Sequence, residues 1–487
     1  MRVITGYLGQ MLLLLGAMLS VPVLYSVLSH EDGTTTFAFT VTAVLSLLAG
    51  TVLFITRDRR SPSTAQGMVI CSLSWAVLSA FGSLPFILAL NTSPMNALFE
   101  SVSGFTTTGI TVFTGLEELP RSILLWRSIS QWVGGLGILT FFMAVASKTP
   151  GAHRLIEAES HKIFAGRPVP GLMHTVRILW TIYGSFTVAV AIAYLLAGMS
   201  IFDAVNHALT TIATGGFSTH DASMGWFAGA STGNHVLIEY IAVIGMLAGG
   251  VSFLVHYRVF AGDGPLALFR GSEMRLFWGI ILVSFLFIGA EQVIASGFWE
   301  DPEPALRKNL FQTISMLTTT GYATEELTSP FFGAAARQLF LMMMVIGGCV
   351  GSTSGGIKVL RVSILLSGAR EEISKLFRAE RAVSGIRFQG RLIGRNELSR
   401  ITGIVFLWFL LLGVGGLATA LLTPGMHGYT AFSGMFSALG NIGPSLMSQQ
   451  QVVELHWAVK TVYIAGMLAG RLEILPVLLL FSGKAWR

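Results

Sequence analysis

The 487-residue sequence predicts an all-α polytopic membrane protein, with two N-terminal spans followed by four span, pore-helix, span repeats set in pseudo-fourfold fashion around a central ion pore. Three observations predict it. Hydrophobic residues make up 53% of the chain and charged residues 11%, where a soluble domain carries about 25% charged; mean hydropathy is +0.69. Ten apolar runs each approach or exceed the roughly 20 residues needed to cross a bilayer. Four of the loops between them share one motif ending in glycine, the mark of an internal repeat.

The first run, 7–28, is too long for a signal peptide and has no convincing small-residue cleavage site, so it reads as a retained span. The others are 37–56, 67–90, 123–146, 176–197, 236–259, 276–295, 339–366, 401–422 and 457–480. Alternate loops differ in charge, and Lys and Arg are held on the cytoplasmic side. One set holds Arg57, Arg59 and Arg60; Lys148, Arg154, Lys162 and Arg167; Arg258, Arg270 and Arg275; and the stretch 370–400 with Lys375, Arg378, Arg381, Arg387, Arg391 and Arg395. The other set holds Glu31, Asp32, Glu117, Glu118, Asp221, Glu300, Asp301, Glu303, Glu325 and Glu326. Both termini are therefore expected in the cytoplasm. The net charge of +6 is accounted for by this topology, and no nucleic-acid partner is expected. With two cysteines, both in apolar runs, neither a disulfide scaffold nor a structural zinc site is expected.

The repeated segments start at Ala97, Ala204, Asn309 and Ala431, and twelve residues on stand Gly109, Gly216, Gly321 and Gly443. Apolar residues recur at offsets one, five and eight: Leu98, Val102 and Phe105; Val205, Leu209 and Ile212; Leu310, Ile314 and Leu317; Phe432, Phe436 and Leu439. That spacing is one face of a helix. A small hydroxyl recurs at Ser103, Thr210, Ser315 and Ser437. The glycines lie 107, 105 and 122 residues apart, which sets the expected divisions: 1–60 for the two extra spans, then repeats at 61–150, 151–262, 263–395 and 396–487.

A short helix followed by an extended glycine loop leaves carbonyls that lipid cannot satisfy, so it must be buried in protein or line a water-filled cavity. Four copies supply a ring of carbonyls able to replace the hydration shell of a monovalent cation. Each half-helix directs its negative C-terminal end toward the ion. The candidate ion-coordinating residues are Thr107, Thr108 and Gly109; Thr214, Gly215 and Gly216; Thr319, Thr320 and Gly321; and Asn441, Ile442 and Gly443. The competing reading is a set of re-entrant packing elements, as in carriers with broken helices. The fourth loop, with Asn441, Ile442, Gly443 and Pro444, makes true fourfold equivalence unexpected.

The eighth run contains Gly347, Gly348, Gly351, Gly355 and Gly356 among Ser352, Thr353 and Ser354. Glycine costs about 1 kcal/mol per residue in a helix, and Ser and Thr compete for backbone hydrogen bonds, so an unwound segment lining a cavity is expected. The alternative is close glycine-mediated helix packing. Arg471 lies within the last run, where a charge is costly unless paired or hydrated. It is either a functional group or half of an ion pair with Glu473. Lys358 and Arg361 are expected to snorkel toward the cytoplasm. Asp203 is placed to cap the second half-helix, and His207 and His220 read as ordinary polar contacts. The stretch 370–400 suits anionic lipid head groups, a cytoplasmic regulator, or topology alone.

The loops TTTGIT, ATGGFST, TTTGYAT and LGNIGPS, the run GGCVGSTSGGIKVLR from Gly347 and the terminal AGRLEILPVLLLFSGKAWR from Ala469 together resemble the Trk/Ktr/HKT superfamily of cation transporters, nearest its bacterial TrkH branch. The resemblance covers nearly the whole chain. It implies a potassium-translocating subunit of the bacterial inner membrane, a homodimer with one pore per protomer, and a cytoplasmic ring partner of the TrkA type that binds nucleotide. It implies that glycine at the filter position of all four loops, here including Gly109, goes with potassium selectivity. It also implies that the glycine-rich stretch is a gate and that Arg471 lies near the cytoplasmic side of the filter. No phosphate-loop motif occurs, so nucleotide control falls to the partner and no nucleotide is expected on this chain. A sodium- or proton-coupled symporter is the alternative, although no cluster of intramembrane carboxylates is evident. An enzyme is not expected, for want of a Ser-His-Asp set, H-E-x-x-H or paired catalytic carboxylates.

Overall fold

The computed structural model describes residues 2–56, 58, 60, 62–137, 140, 172–230, 233–296, 301–377, 387–388 and 391–486. The expected basic segment with Lys148, Arg154, Lys162 and Arg167, together with Arg57, Arg59, Glu300, Arg378 and Arg381, lies outside the described residues.

Two long helices, α1 (Arg2–Leu28) and α2 (Gly33–Ile55), form an antiparallel hairpin ahead of the repeats. Their backbones touch at a reciprocal glycine pair: a Cβ on Gly9 would stand 2.8 Å from the Gly50 carbonyl oxygen, and one on Gly50 would stand 2.9 Å from that of Gly9. Small residues at such a contact let helices associate where lipid offers no hydrophobic drive.

Four span, half-helix, span units follow. The first has α3 (Thr64–Gly82) continued by α4 (Leu84–Leu90), the half-helix α5 (Pro94–Phe105) and α6 (Arg121–Leu136). The second has α7 (Leu172–Leu196), half-helix α8 (Ile201–Ile212), α9 (His235–Gly250) and α10 (Phe253–Arg258). In the third, α11 (Ser272–Ser296) leads to half-helix α12 (Pro302–Leu317), then α13 (Ala334–Met343) and α14 (Val359–Lys375). The fourth comprises α15 (Arg395–Leu422), half-helix α16 (Gly428–Gly440) and α17 (Trp457–Arg471), with α18 (Leu475–Leu479) after it. A pairing of Arg387–Phe388 with Arg391–Leu392 adds two-residue strands to an otherwise helical architecture.

Ten crossings were expected, the eighth of them interrupted; among the described residues six helices are long and apolar enough to cross a membrane, or seven if the pair bent by 96° between α9 and the segment after it counts as one. The runs without such a helix are the second spans of the repeats. Helix α6 has 16 described residues, α9 stops after 16, α13 after 10 and α17 after 15. In three repeats that helix carries a glycine, Gly134, Gly249 or Gly470, whose missing side chain leaves room for the last-turn carbonyls of Phe105, Ile212 and Leu439. Helices α9 and α17 thus end beside the half-helix ends on which they pack.

The half-helices begin where local chemistry favours a start. Ser93 and Ser200 accept hydrogen bonds from Asn96 N (3.2 Å) and Asp203 N (3.0 Å), and Pro94 and Pro302 occupy first-turn positions where no N–H is missed. The cap of α8 is thus Ser200, not Asp203, which lies in the first turn instead and complements the helix dipole there.

Candidate functional site: a ring of four glycine loops above an unwound segment

All four half-helices end with the same backbone motif. The residue at offset ten is left-handed, with φ of 52° at Thr107, 48° at Thr214, 55° at Thr319 and 54° at Asn441. The amide of the next residue reaches back to offset six: Thr108 N to Ser103 O (2.9 Å), Gly215 N to Thr210 O (2.9 Å), Thr320 N to Ser315 O (3.0 Å) and Ile442 N to Ser437 O (3.1 Å). This six-to-one bond across a left-handed residue is a Schellman stop. Asn tolerates the conformation; three β-branched threonines do so only because surrounding structure imposes it. Two residues on, Gly109, Gly216, Gly321 and Gly443 turn left-handed again, with φ of 82°, 76°, 80° and 108°.

The four glycines close a ring. A Cβ on Gly109 would strike the carbonyl oxygen of Gly215, one on Gly216 that of Thr320, and one on Gly321 that of Ile442; one on Gly443 would lie 3.0 Å from that of Thr108. Each loop thereby presents the carbonyl preceding its glycine to the glycine of the loop before it, in the cyclic order one, two, three, four, one. No side chain fits at these four positions, both because of the close approach and because φ is positive.

The half-helices behind the ring are buried nearly all round. Offsets five and eight are largely inside, but Val205 at offset one is 39% exposed, so the expected one-sided apolar face understates the burial. The recurrent hydroxyl at offset six stitches returning chain in three repeats: Ser437 Oγ donates to Gly443 O (2.8 Å), Ser315 Oγ to Tyr322 O (2.6 Å), and Thr210 Oγ1 meets the Tyr322 hydroxyl (2.5 Å). Its first-repeat counterpart, Ser103 Oγ, is buried without a hydrogen-bond partner among the described residues.

The glycine-rich stretch 347–356 is unwound and lies against the left-handed residues of three loops. Its neck is pinned by Gly347 N to Ile357 O (2.9 Å) and Ile357 N to Val345 O (3.0 Å). Thr214 Oγ1 donates to Thr353 Oγ1 (3.1 Å), which in turn donates to Ile212 O (3.0 Å) and Gly249 O (3.1 Å). Gly355 N donates to Thr319 Oγ1 (2.7 Å), and a Cβ on Gly355 would lie 2.6 Å from Asn441 Cβ. Asn441 Nδ2 bridges to Thr108 Oγ1 (2.8 Å) and Met467 O (2.9 Å), so the fourth loop substitutes an amide where the others carry a hydroxyl. Gly348 allows close contact with Gly250 O and Gly351 takes φ of 76° in the same segment, where Cys349 N donates to Gly250 O (3.0 Å) and Phe253 N to Gly351 O (3.0 Å), while Ser352 Oγ turns back to Cys349 O (2.6 Å). Gly356 takes φ of 63° as the chain leaves it.

Arg471 joins this segment to the first repeat. It donates to Thr353 O (2.6 Å), Gly134 O (2.7 Å) and Gly135 O (2.5 Å). Glu473 pairs instead with Arg361. Two expectations are corrected here. Arg361, 4% exposed, does not snorkel, because α14 begins at the end of the unwound segment and turns its guanidinium inward to Glu473. Nor does Lys358, whose ammonium folds back onto Ser354 O.

On the face of the ring where the loops return, His207 Nε2 meets Ser218 Oγ (3.0 Å) and its Nδ1 meets Asp203 O (2.9 Å). His220 stacks on Trp226 at 3.7 Å and stands 3.4 Å from both Asp203 and Glu117. Burial raises the Asp203 pKa, but the adjacent His220 and the hydroxyls of Thr219 and Ser200 outweigh it and hold the carboxyl well below its ordinary range.

Sequence reasoning missed three residues behind the first two loops. Glu100 and Arg127 form a fully buried ion pair (2.8 Å), and Gln131 donates to Gly215 O (2.6 Å). The available signal was polar side chains four apart, Arg127 and Gln131, on one face of an expected span, where such groups are costly and therefore placed for a reason.

A pseudo-fourfold set of pore-type loops, each backed by a half-helix and embedded in apolar helices, defines a multi-pass membrane transport protein and not an enzyme. The model of the TrkH family, described as cation transport protein, matches residues 35–487. The chain belongs to that family. It is 36% identical over 501 residues to the Trk system potassium uptake protein TrkH of Vibrio parahaemolyticus, spanning 100% of this chain and 99% of the relative. It is 33% identical over 498 residues to the protein of the same description from Escherichia coli strain K12, again spanning 100% and 99%. The crystal structure of the potassium transporter TrkH from Vibrio parahaemolyticus superposes with a TM-score of 0.87 at 35% identity, covering 100% of this chain and 99% of that one.

Proposed function

We propose that the protein takes up potassium ions across the bacterial inner membrane through the ring of four loops, with both termini in the cytoplasm. The observation that carries this reading is the closed cycle in which each glycine abuts a carbonyl of the next loop. Backbone oxygens held at fixed spacing are the donor set that replaces water around a weakly hydrated monovalent cation. The names of the full-length relatives support potassium as that cation. The coordinating residues are 107–109, 214–216, 319–321 and 441–443, in repeats bounded at 61–150, 151–262, 263–395 and 396–487, after the extra spans of 1–60.

The unwound segment with Gly347, Gly348, Gly351, Ser352, Thr353, Gly355 and Gly356 acts as the gate, and Arg471 holds it closed by bonding Thr353 O and the end of α6 together. The protein works as a homodimer with one pore per protomer, under control of a cytoplasmic nucleotide-binding ring of the TrkA type. The basic stretch 370–400 serves as docking ground for that ring or for anionic lipid head groups.

The test is potassium and sodium flux into liposomes holding the purified protein at several imposed voltages, comparing the native chain with Gly109→Ser and with deletion of 351–356. Selective potassium flux that loses selectivity with Gly109→Ser and rises on the deletion is expected. Flux that requires a second ion gradient and responds to neither change would replace this reading with coupled symport.

A further inference from the structure

The ring is not equivalent at its second loop, and the difference is built by a residue outside the loops. At offset eleven the first and third loops carry Thr108 and Thr320, whose hydroxyls bond those of Thr106 (2.7 Å) and Thr318 (2.8 Å). The second loop has Ala213 and Gly215 at the matching positions, so both hydroxyls are missing. The space is taken by Gln131 of α6: a Cβ on Gly215 would collide with its carboxamide. Gln131 Nε2 donates to Gly215 O (2.6 Å) and its Oε1 accepts from Phe217 N (3.0 Å), so one buried amide brackets Gly216 from both sides. Gly215 O is the carbonyl that abuts Gly109. Its counterparts, the carbonyls of Thr108, Thr320 and Ile442, receive no side-chain hydrogen bond among the described residues.

Position 131 lies three residues before Gly134. The glycines that make the same approach to a half-helix end, Gly249 and Gly470, are preceded at that distance by Met246 and Met467. A polar side chain here thus sets the first repeat apart from the second and fourth. One turn earlier on α6, Arg127 donates to Ser218 O (2.9 Å), lies 4.1 Å over the Phe217 ring and pairs with Glu100, which accepts from Val112 N (2.9 Å). Gln131 therefore sits on a rigid mount.

We propose that Gln131 is a selectivity-determining positioning residue, which weakens and fixes the Gly215 carbonyl so that its tier of the ring offers a lower field to small cations. This rests on the reading of the ring as the ion filter. The hydrogen bond occupies one of the two lone pairs of Gly215 O, and the positive N–H beside it partly cancels the field that this oxygen presents to an ion. A smaller, more strongly hydrated ion such as sodium needs strong, mobile oxygens to repay its dehydration, so a fixed and partly spent carbonyl disfavours it more than potassium.

The experiment is flux of potassium, rubidium and sodium into liposomes holding native protein, Gln131→Glu, Gln131→Met, Gly215→Ala or Gly109→Ser, each first shown monodisperse by size-exclusion chromatography. Gln131→Glu keeps the shape and the acceptor for Phe217 N but removes the donor; Gln131→Met supplies the residue found at the counterpart positions; Gly215→Ala displaces the amide from the other side. Gln131→Glu and Gln131→Met are each expected to lower the potassium over sodium ratio by about fivefold, the factor that one hydrogen bond of ordinary net strength is worth, while potassium flux at saturation stays within about twofold; Gly215→Ala, which alters the ring itself, is expected to lower the ratio at least as much and the flux with it. A merely structural role would reduce flux of all three ions alike. An unchanged ratio in whichever of the three variants folds, beside a ratio lowered by Gly109→Ser, overturns the role of Gln131 and leaves the filter standing. An unchanged ratio in Gly109→Ser as well overturns the filter reading itself.

Discussion

Glu100 and Arg127 show how single residues hold the ring. The carboxylate accepts from Arg127 Nε (2.8 Å), Thr111 Oγ1 (2.9 Å) and Val112 N (2.9 Å), so every oxygen of a fully buried anion is satisfied. Arg127 spans to Ser218 O, which ties the returning strands of loops one and two together just past their glycines. Removing one partner of such a pair leaves an uncompensated buried charge, typically costing about 3–5 kcal/mol, whereas removing both is far milder. Glu100→Gln and Arg127→Met are each expected to lower the thermal midpoint in detergent by several degrees, and the double variant by less than the sum of the two. A double variant showing the full sum would mean that the pair contributes through separate contacts. The spacing of Arg127 and Gln131 marks a polar stripe on an expected span, but nothing in the sequence says that its partner is Glu100 in the half-helix.

At the scale of elements, the repeated glycines do two different things. Gly134, Gly249 and Gly470 are where a second-span helix touches a half-helix end, and alanine there would drive a methyl into backbone. Gly403 and Gly413 of α15 have nothing within 4 Å of the position a Cβ would take. Alanine at either of the latter two is expected to be neutral or to stabilise by up to about 1 kcal/mol through helix propensity, while Gly134→Ala and Gly470→Ala are expected to cut the yield of monodisperse protein sharply. Size-exclusion profiles of the four variants check this, and equal tolerance would show that the close approach relaxes without cost. The same elements show why apolar runs and long helices do not coincide: a run of crossing length does not reveal whether the helix is continuous. The breaks in α9 and α17 are imposed by neighbours: α17 ends where Arg471 reaches across to Thr353 and Gly134, and Glu473 and Ile474 follow with φ of 63° and 68°.

For the whole molecule, the charge asymmetry of the loops supports the orientation proposed above, and that proposal has a direct test. Both native cysteines, Cys71 and Cys349, are buried, so an introduced thiol reports alone. In intact cells with a permeabilised outer membrane, a membrane-impermeant maleimide is expected to label Asn91→Cys, which stands just before the first half-helix, and to label Gly394→Cys only after the inner membrane is opened. The reverse pattern would invert the topology. Assembly of the ring is also a whole-molecule property, since three of the glycine contacts join repeats about a hundred residues apart and the fourth, from Gly443 to Thr108, closes the cycle between the last repeat and the first.

Composition and the fourfold motif by themselves determined the membrane class, the repeat, the four half-helices and the four glycine positions. These are local or periodic properties: hydrophobicity selects the solvent, and the apolar spacing with its closing glycine is written into each segment. Only the tertiary structure decided which carbonyl each glycine meets, that Arg471 bonds the unwound segment and α6 while Glu473 turns to Arg361, and that Gln131 occupies the space Gly215 leaves. Those contacts join residues that no period in the sequence relates. They exist because packing four unequal repeats around one axis leaves gaps and unsatisfied polar groups that only a particular neighbour can fill.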